Sequence, residues 1–202
     1  MKIICIGRNY ADHAKEMKSE LPKDPVFFFK PDLAILRGYK FYIPEFTNEI
    51  HYEVELVVKI NRVGKHIDQK FAHKYYNEIG LGIDFTARDI QRECKAKGLP
   101  WEKAKAFENS AVLSKTFIDK SELDLNNIPF SLTQNDQTVQ QGTSADMIFN
   151  IDQIIAYISQ FVTLKIGDLI YTGTPAGVGP VKIGDKLKGF INNQVMFAIE
   201  IR

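Results

Sequence analysis

Short apolar runs separated by turn residues dominate the chain and predict a fold rich in β-strands. Within these runs, β-branched and aromatic residues cluster between Gly, Pro, Asn and Asp, which is the pattern typical of strands that are buried on one or both faces. The predicted strands are 2–6, 26–29, 52–60, 79–84, 111–113, 130–134, 168–172 and 188–200.

Four segments between the strands predict helices: 10–18, 68–77, 87–97 and 151–161. The last has a regular apolar stripe, formed by Ile151, Ile154, Ile155, Ile158 and Phe161. Asn9 is expected to cap the first helix, and Thr86 with Asp89 resembles a capping box for the third, which Gly98 would end. Strands early and late in the chain with helices scattered between them indicate a β-rich α+β fold.

Composition is that of a globular protein with a sizeable core. The chain has 202 residues, of which 45% are hydrophobic, so residues 1–202 are expected to form a single domain. The formal net charge of +1 argues against nucleic-acid binding, and no apolar run is long enough to cross a membrane. The amino-terminal sequence MKIICIGRNY lacks the features of a signal peptide, which favours a cytoplasmic location.

Two glutamates in the run IHYEVELVVKI are the first candidates for chemistry. If residues 52–60 form a strand, Glu53 and Glu55 point to the same face, roughly 6.6 Å apart along the strand axis. Like charges held this close repel each other unless a cation lies between them, and Mg²⁺ or Mn²⁺ prefers carboxylate oxygens. The alternative is an exposed strand face that carries two solvated glutamates.

Asp84 strengthens the metal hypothesis. It ends the mostly apolar run EIGLGIDF, and a buried aspartate needs a partner. With Glu53 and Glu55 it would form an oxygen-only metal site that leaves positions for water and substrate. The alternatives for Asp84 are a helix cap or a salt bridge to Arg88.

Polar pairs on two predicted helices are candidates for catalysis and substrate binding. His13 and Glu16 are three positions apart, so a carboxylate would orient an imidazole that can accept a proton. Arg88 and Gln91 have the same spacing and suit recognition of a substrate carboxylate. The alternative for both pairs is an ordinary polar helix surface.

Lys105 and a glycine-rich loop complete the set of candidates. Lys105 lies between Trp101 and Phe107, which favours an inward-facing side chain, whereas Lys103 is the solvated alternative. The loop YTGTPAGVGP (171–180) matches no nucleotide-binding motif. Its backbone N–H groups are expected to form either an anion-binding nest or a turn-rich hairpin.

The order of these motifs resembles that of the fumarylacetoacetate hydrolase family, in particular its small single-domain acylpyruvase branch. The matching stretches are GRNYADHAKE (7–16), FFFKP (27–31), HYEVELVV (51–58), GIDFTARDIQRECKAKGLPW (82–101), AKAF (104–107) and LIYTGTPAGVGPV (169–181). They span nearly the whole chain. The resemblance implies a β-roll or sandwich with peripheral helices, usually a homodimer.

The resemblance also assigns roles. A Mg²⁺ or Mn²⁺ ion is expected on Glu53, Glu55 and Asp84. The expected catalytic residues are His13, Glu16 and Lys105, with His13 and Glu16 on a lid that orders when substrate binds. The expected substrate-binding residues are Arg8, Lys30, Arg88, Gln91 and Thr174.

From these roles we expect an enzyme that acts on a small 2-oxo carboxylate. The main expectation is a metal-dependent hydrolase that cleaves the C–C bond of acylpyruvates to give pyruvate and a carboxylic acid, with His13 activating a water. The alternative is an oxaloacetate decarboxylase or keto–enol tautomerase that uses the same metal site. A non-catalytic module that binds 2-oxo acids is a more remote alternative, because a binder needs no general base.

Overall fold

The computed structural model describes residues 1–17 and 20–202 and is built mainly of strands. In chain order these are β1 (Ile3–Gly7), β2 (Val26–Lys30), β3 (Lys40–Phe41), β4 (Ile50–Tyr52), β5 (Val54–Ile60), β6 (Tyr76–Asp84), β7 (Thr86–Ala87), β8 (Ala111–Leu113), β9 (Ile118–Asp119), β10 (Pro129–Gln134), β11 (Gln137–Thr143), β12 (Leu169–Tyr171), β13 (Gly179–Pro180), β14 (Lys186–Ile191) and β15 (Gln194–Ile201). The helices are α1 (Ala11–Glu16), α2 (Gln69–Ala72), α3 (Arg88–Lys97), α4 (Glu102–Lys105) and α5 (Ile151–Phe161). The predicted β-rich α+β class is confirmed.

Within the described residues the strands form three sheets. A seven-stranded sheet has the order β2-β1-β12-β5-β6-β8, with β9 also paired to β6. A five-stranded sheet has the order β11-β10-β14-β15-β3, and a three-stranded sheet has the order β13-β4-β7. Because β1 pairs in parallel with β12, segments from the beginning and from late in the chain meet in one sheet.

The main hydrophobic core joins the two larger sheets. Leu56 of β5 and Leu81 of β6 belong to the same buried cluster as Leu132 of β10 and Leu187 of β14. A Cβ atom at Gly189 of β14 would lie 2.8 Å from Leu81 Cδ2, so the sheets approach each other too closely there for a larger residue. This core fixes β5 and β6, which carry two of the candidate metal ligands, Glu55 and Asp84.

Helix α5 packs on this core with most of its predicted stripe. The buried members of the stripe are Ile151, Ile154, Ile155 and Ile158. Asn150 and Gln153 form a capping box that satisfies backbone N–H groups at the helix start. Phe161 is 55% exposed, contrary to the prediction, and its ring lies 5.8 Å from that of Phe27. None of the helices in the described part of the chain has the length and apolar composition needed to cross a membrane.

Several predicted elements have different bounds in the structure. The helix predicted for 68–77 ends at Ala72, because the chain enters β6 at Tyr76. The strand predicted for 188–200 is a hairpin of β14 and β15, which turns at Asn192 with a positive φ of 51°. Strand β11 was not predicted, because its sequence QTVQQGT is mostly polar.

Both predicted polar caps have other roles. Asn9 does not cap α1; its side chain instead bonds the backbone of Phe149 and donates to the Thr172 carbonyl at 2.8 Å. Thr86 lies in β7, and Asp89 accepts a hydrogen bond from Thr47 at 2.5 Å. Gly98 ends α3 in the left-handed conformation, as predicted. The predicted end of the first helix, at residue 18, lies outside the described residues.

Candidate active site

Three buried carboxylates come together beside the paired strands β5 and β6. Glu55 lies in β5, Asp84 ends the neighbouring strand β6, and the backbone N–H of Asp84 donates to the Glu53 carbonyl at 2.8 Å. One oxygen from each carboxylate lies within 4.8 Å of the other two. All three residues are buried, with 6%, 1% and 1% exposure for Glu53, Glu55 and Asp84. The predicted convergence of the three side chains is therefore present in the structure.

Glu53 lies at a break between two strands, which the alternating apolar and polar pattern of the sequence did not predict. The predicted strand 52–60 is divided at this residue, since β4 ends at Tyr52 and β5 begins at Val54. The first piece pairs with β7 and β13 in the small sheet, and the second with β6 and β12 in the large one. Glu53 thus lies at a junction between two sheets, and both neighbouring residues are buried as well.

Two buried lysines form ion pairs with these carboxylates, and both contact Asp84. The Lys105 ammonium lies 2.7 Å from Glu53 Oε2 and 2.7 Å from Asp84 Oδ2. Lys30 Nζ lies 2.7 Å from Asp84 Oδ1 and donates to Ser110 Oγ at 2.9 Å. Burial alone would lower the pKa of Lys105, but Asp84 and Glu53 together raise it to about 12. Lys105 is therefore a permanent cation at neutral pH, and its predicted inward orientation is confirmed.

Lys30 is buried beside Asp84. Its side chain is not among those that line the cavity. Its ammonium pairs with Asp84, donates to the hydroxyl and the carbonyl of Ser110, and approaches the Phe85 carbonyl at 3.4 Å. Lys30 thus contacts a candidate metal ligand in this structure, and its expected contact with substrate stays a prediction.

The three carboxylates differ in how far nearby positive charges offset the cost of burying them. Burial opposes ionisation of Glu53, but Lys105, Arg88 and His13 lower its pKa below the ordinary value. Burial, with the charges of Asp84 and Glu53, raises the pKa of Glu55 well above its ordinary value. The carboxylate of Glu55 accepts one hydrogen bond, from the backbone N–H of Gly173 at 2.7 Å. Glu55 is thus the member of the trio that lacks a cationic partner among the described residues.

Arg88 and Gln91 form one unit on α3. Arg88 donates to Glu53 Oε1 at 2.5 Å and to Gln91 Oε1 at 2.7 Å. The alternative salt bridge between Arg88 and Asp84 is therefore replaced by one to Glu53. Because the oxygen of the Gln91 amide is occupied, its Nε2 group is left to donate into the cavity. Arg88 also approaches His51 Nδ1 at 3.4 Å, which links His51 to the carboxylate trio through Glu53.

His13 and Glu16 form the predicted pair on α1. His13 Nδ1 lies 3.0 Å from Glu16 Oε2, and the His13 side chain is 11% exposed at the cavity wall. The backbone N–H of Gly177 donates to Glu16 Oε1 at 3.1 Å. Gly177 has a φ of +99°, and a Cβ atom there would lie 2.5 Å from the Val139 carbonyl oxygen. Only glycine therefore presents this N–H to Glu16 without strain.

The glycine-rich loop donates backbone hydrogen bonds to two side-chain carboxylates of the same chain. Its N–H groups at Gly173 and Gly177 donate to Glu55 and Glu16, which is a nest built for carboxylates of the same chain. Thr174 accepts a hydrogen bond from Gln140 Nε2 at 2.8 Å and lines the cavity, so its hydroxyl hydrogen is free to donate. Thr172 is turned away and donates to the Leu56 carbonyl.

One cavity brings most of the predicted residues together. The predicted residues along its wall are Arg8, His13, Glu53, Glu55, Asp84, Arg88, Gln91, Lys105 and Thr174. Glu16 supports His13 without lining the cavity. Two residues at the site were missed. Gln140, which positions Thr174, lies on the unpredicted strand β11, and Lys95 also lines the cavity. The helical spacing of Lys95 from Arg88 and Gln91 was a signal that was available in the sequence.

Comparison with known proteins decides the family. The model of the fumarylacetoacetate (FAA) hydrolase C-terminal family matches residues 2–200. The chain belongs to the fumarylacetoacetate hydrolase family. The resemblance drawn from the motifs is thereby confirmed. The relatives described below are enzymes by name.

Two relatives in this family carry the same name for their activity. The chain is 46% identical over 190 residues to oxaloacetate tautomerase YcgM of Escherichia coli, covering 92% of this chain and 86% of the relative. It is 42% identical over 202 residues to the mitochondrial oxaloacetate tautomerase FAHD1 of Mus musculus, covering 99% and 91%.

A solved structure in the family shares the fold. Fumarylpyruvate hydrolase from Pseudomonas aeruginosa, in complex with Mn²⁺ and pyruvate, superposes with a TM-score of 0.93 at 32% identity. The match covers 100% of this chain and 89% of that chain. The expected family fold is confirmed. Among the two functions expected from the sequence, the relatives favour the oxaloacetate alternative over acylpyruvate cleavage.

Proposed function

We propose that this protein is a divalent-metal-dependent enzyme that interconverts the keto and enol forms of oxaloacetate. The observation that carries the proposal is the buried trio of Glu53, Glu55 and Asp84 beside His13, in a chain more than two-fifths identical to two oxaloacetate tautomerases. Mg²⁺ or Mn²⁺ is the proposed ion, because both accept ligand sets made only of oxygen.

The side chains present fit such an ion. Three carboxylate oxygens lie within 4.8 Å of one another, and the pKa of Glu55 is raised by burial and then by the charges of Asp84 and Glu53, which a cation would offset. Manganese in the Pseudomonas aeruginosa hydrolase is consistent with the same choice of ion. When bound, the ion would supply positive charge that stabilises negative charge developing on the 2-oxo oxygen.

His13 is the residue that transfers the proton in this proposal. Tautomerisation moves one proton between the enol oxygen and C3 of oxaloacetate, so one side chain must accept and return a proton. His13 lines the cavity, and Glu16 at 3.0 Å fixes its ring through Nδ1. The other ring nitrogen is then directed to the substrate. Gly177 holds Glu16 in turn, so the pair is anchored to the glycine-rich loop.

Other residues bind and orient the substrate. Lys105 stays protonated and donates hydrogen bonds to developing negative charge without taking part in proton exchange. The free amide hydrogens of Gln91 and the hydroxyl hydrogen of Thr174 point to the same cavity and suit the oxygens of a 2-oxo carboxylate. Arg88 keeps Glu53 ionised and Gln91 oriented.

Acylpyruvate hydrolysis is the second candidate function. It is favoured by the intact pair of His13 and Glu16, since hydrolysis requires an activated water, and by the structural match to a fumarylpyruvate hydrolase. Oxaloacetate decarboxylation would use the same carboxylate trio and requires no water. A single-domain organisation over residues 1–202, a homodimer and a cytoplasmic location remain predictions; the mouse relative is a mitochondrial protein by name.

Coupling to malate dehydrogenase tests the proposed function. Malate dehydrogenase reduces the keto form, so with excess dehydrogenase and NADH the reaction of freshly dissolved enol oxaloacetate is limited by tautomerisation. We expect the protein with Mg²⁺ to raise this rate, and EDTA or Glu53→Ala to abolish the increase. Glu78→Gln, on an exposed part of β6, is the control and should retain it.

Three further outcomes are distinguishable on the same sample. Pyruvate formed from oxaloacetate without a faster keto–enol exchange would indicate a decarboxylase. Pyruvate and acetate formed from acetylpyruvate would indicate an acylpyruvase. Binding of oxaloacetate without any of these reactions would indicate a non-catalytic module.

A further inference from the structure

The cavity wall carries two cations that the proposed metal chemistry does not use. Arg8 follows β1, and Lys95 lies on α3 one helical turn after Gln91 and two turns after Arg88. Neither has an ion pair or a hydrogen bond from its side chain within residues 1–17 and 20–202. Lys95 is exposed by area, yet its ammonium lies 5.5 Å from the centre of the Trp101 ring, which also lines the cavity.

The backbone around Arg8 holds this residue in place. Arg8 has a φ of 60°, a left-handed conformation that is uncommon for residues other than glycine and carries backbone strain. The next residue, Asn9, is fully buried and bonds Phe149 and Thr172 through its side chain. The surrounding hydrogen bonds thus fix the chain where it presents Arg8 to the cavity.

The cations at the site outnumber those that its carboxylates hold. Glu53 and Asp84 are paired with Lys30, Lys105 and Arg88. Arg8 and Lys95 also line the cavity, and neither has a carboxylate partner within the described residues.

Lys95 lies near other cations. Partial desolvation, followed by the charges of Arg88 and Arg8, lowers the pKa of Lys95. An anion placed among these groups would relieve the repulsion. Arg8 and Lys95 thus line the cavity as two cations that no carboxylate of the described part of the chain pairs with.

We propose that Arg8 and Lys95 bind the second carboxylate of a dicarboxylic 2-oxo acid, and thereby make the enzyme selective for dicarboxylates over monocarboxylates. This assignment rests on the proposed function at its metal end, where the first carboxylate and the 2-oxo group bind. In oxaloacetate, the C4 carboxylate is the group that reaches Arg8 and Lys95. Trp101 limits the motion of the Lys95 ammonium by a cation–π contact.

A matched pair of ligands tests the assignment by equilibrium binding. Oxaloacetate and 2-oxobutanoate share the 2-oxo carboxylate and differ in a carboxylate or a methyl group at C3. The chain contains one tryptophan, so Trp101 fluorescence reports binding of either ligand to the Mg²⁺-loaded protein. We would measure Kd for both ligands in the wild type and in the Lys95→Met, Lys95→Arg and Arg8→Met variants.

Loss of one charge should weaken the dicarboxylate alone. We expect Lys95→Met and Arg8→Met to raise Kd for oxaloacetate about tenfold, as for loss of a charge-assisted hydrogen bond, and to leave Kd for 2-oxobutanoate nearly unchanged. Lys95→Arg should retain most of the affinity. Lys97→Met is the control, because Lys97 is exposed on the same helix and pairs with Glu93, and it should behave as the wild type.

The outcomes separate this inference from the proposed function. Selective weakening of oxaloacetate in a protein that proves to have no tautomerase activity would support the anion site and reject the activity. An unchanged Kd for oxaloacetate, or an equal rise for both ligands, would overturn the anion site even if tautomerase activity is present.

Discussion

Replacing Lys105 with methionine tests how the buried carboxylates are neutralised. The Lys105 ammonium bonds Glu53 and Asp84 at 2.7 Å each, and the side chains of the three residues are 3%, 7% and 2% exposed. Removing one partner of a buried ion pair costs about 3–5 kcal/mol, because the remaining charge stays desolvated. Glu53 keeps Arg88 and Asp84 keeps Lys30 in the variant. We therefore expect the lower end of that range, a loss of about 3 kcal/mol in unfolding free energy.

The assay is urea unfolding with EDTA and with saturating Mg²⁺. A bound ion would replace the charge that Lys105 supplies, and ligand binding to the native state adds to its stability. The deficit of Lys105→Met should thus shrink to about 1 kcal/mol in Mg²⁺. Lys103→Met, at an exposed position of the same helix, should stay within about 0.5 kcal/mol of the wild type in both conditions. An equal deficit with and without Mg²⁺ would refute the idea that the ion and Lys105 neutralise the same carboxylates.

Three other predictions concern pH, catalysis and the core. Since the pKa of Lys105 rises from 10.5 to about 12 on folding, its stabilisation should be complete below pH 10.5 and be lost as the pH rises through about 12. Unfolding free energies of the wild type and Lys105→Met should then converge, and a constant difference would contradict this. His13→Ala should lower tautomerisation and acetylpyruvate cleavage by about 10²-fold or more while leaving metal-dependent decarboxylation of oxaloacetate substantial, as measured by pyruvate release; equal loss of all three activities would argue against His13 as the proton carrier. Ile158→Ala should cost about 2–5 kcal/mol in urea unfolding, and Phe161→Ala, on the exposed part of α5, clearly less; similar losses would mean that α5 packs differently.

The convergence of the three carboxylates was predictable because its signals are local. Glu53 and Glu55 interrupt an apolar run, and Asp84 ends another, so each needs a partner in the interior. Helical spacing likewise identified the buried isoleucines of α5, although it wrongly included Phe161, which is exposed. The pairing of His13 with Glu16 followed from their helical spacing, whereas Lys30 came from the resemblance alone and is buried beside Asp84 in the structure.

The remaining features depend on contacts between distant parts of the chain. Glu16 and Gly177 are 161 positions apart, and no pattern near either residue indicates their hydrogen bond. Strand β11 has little apolar character and forms because β10 supplies its backbone partners. Its Gln140 then bonds Val54 and Thr174, so an unpredicted strand holds two elements of the site. The Lys105 contacts likewise require β5, β6 and α4 to be assembled first.

The central claim is that Glu53, Glu55 and Asp84 bind a divalent ion, and calorimetric titration with Mn²⁺ tests it most directly. We expect the wild type to bind one Mn²⁺ per chain, and Glu55→Gln, which keeps the shape and removes the charge, to lose most of this affinity. Glu78→Gln, at an exposed position on the same strand as Asp84, should bind as the wild type does. Equal Mn²⁺ binding by the wild type and Glu55→Gln, or no binding by the wild type, would contradict the account.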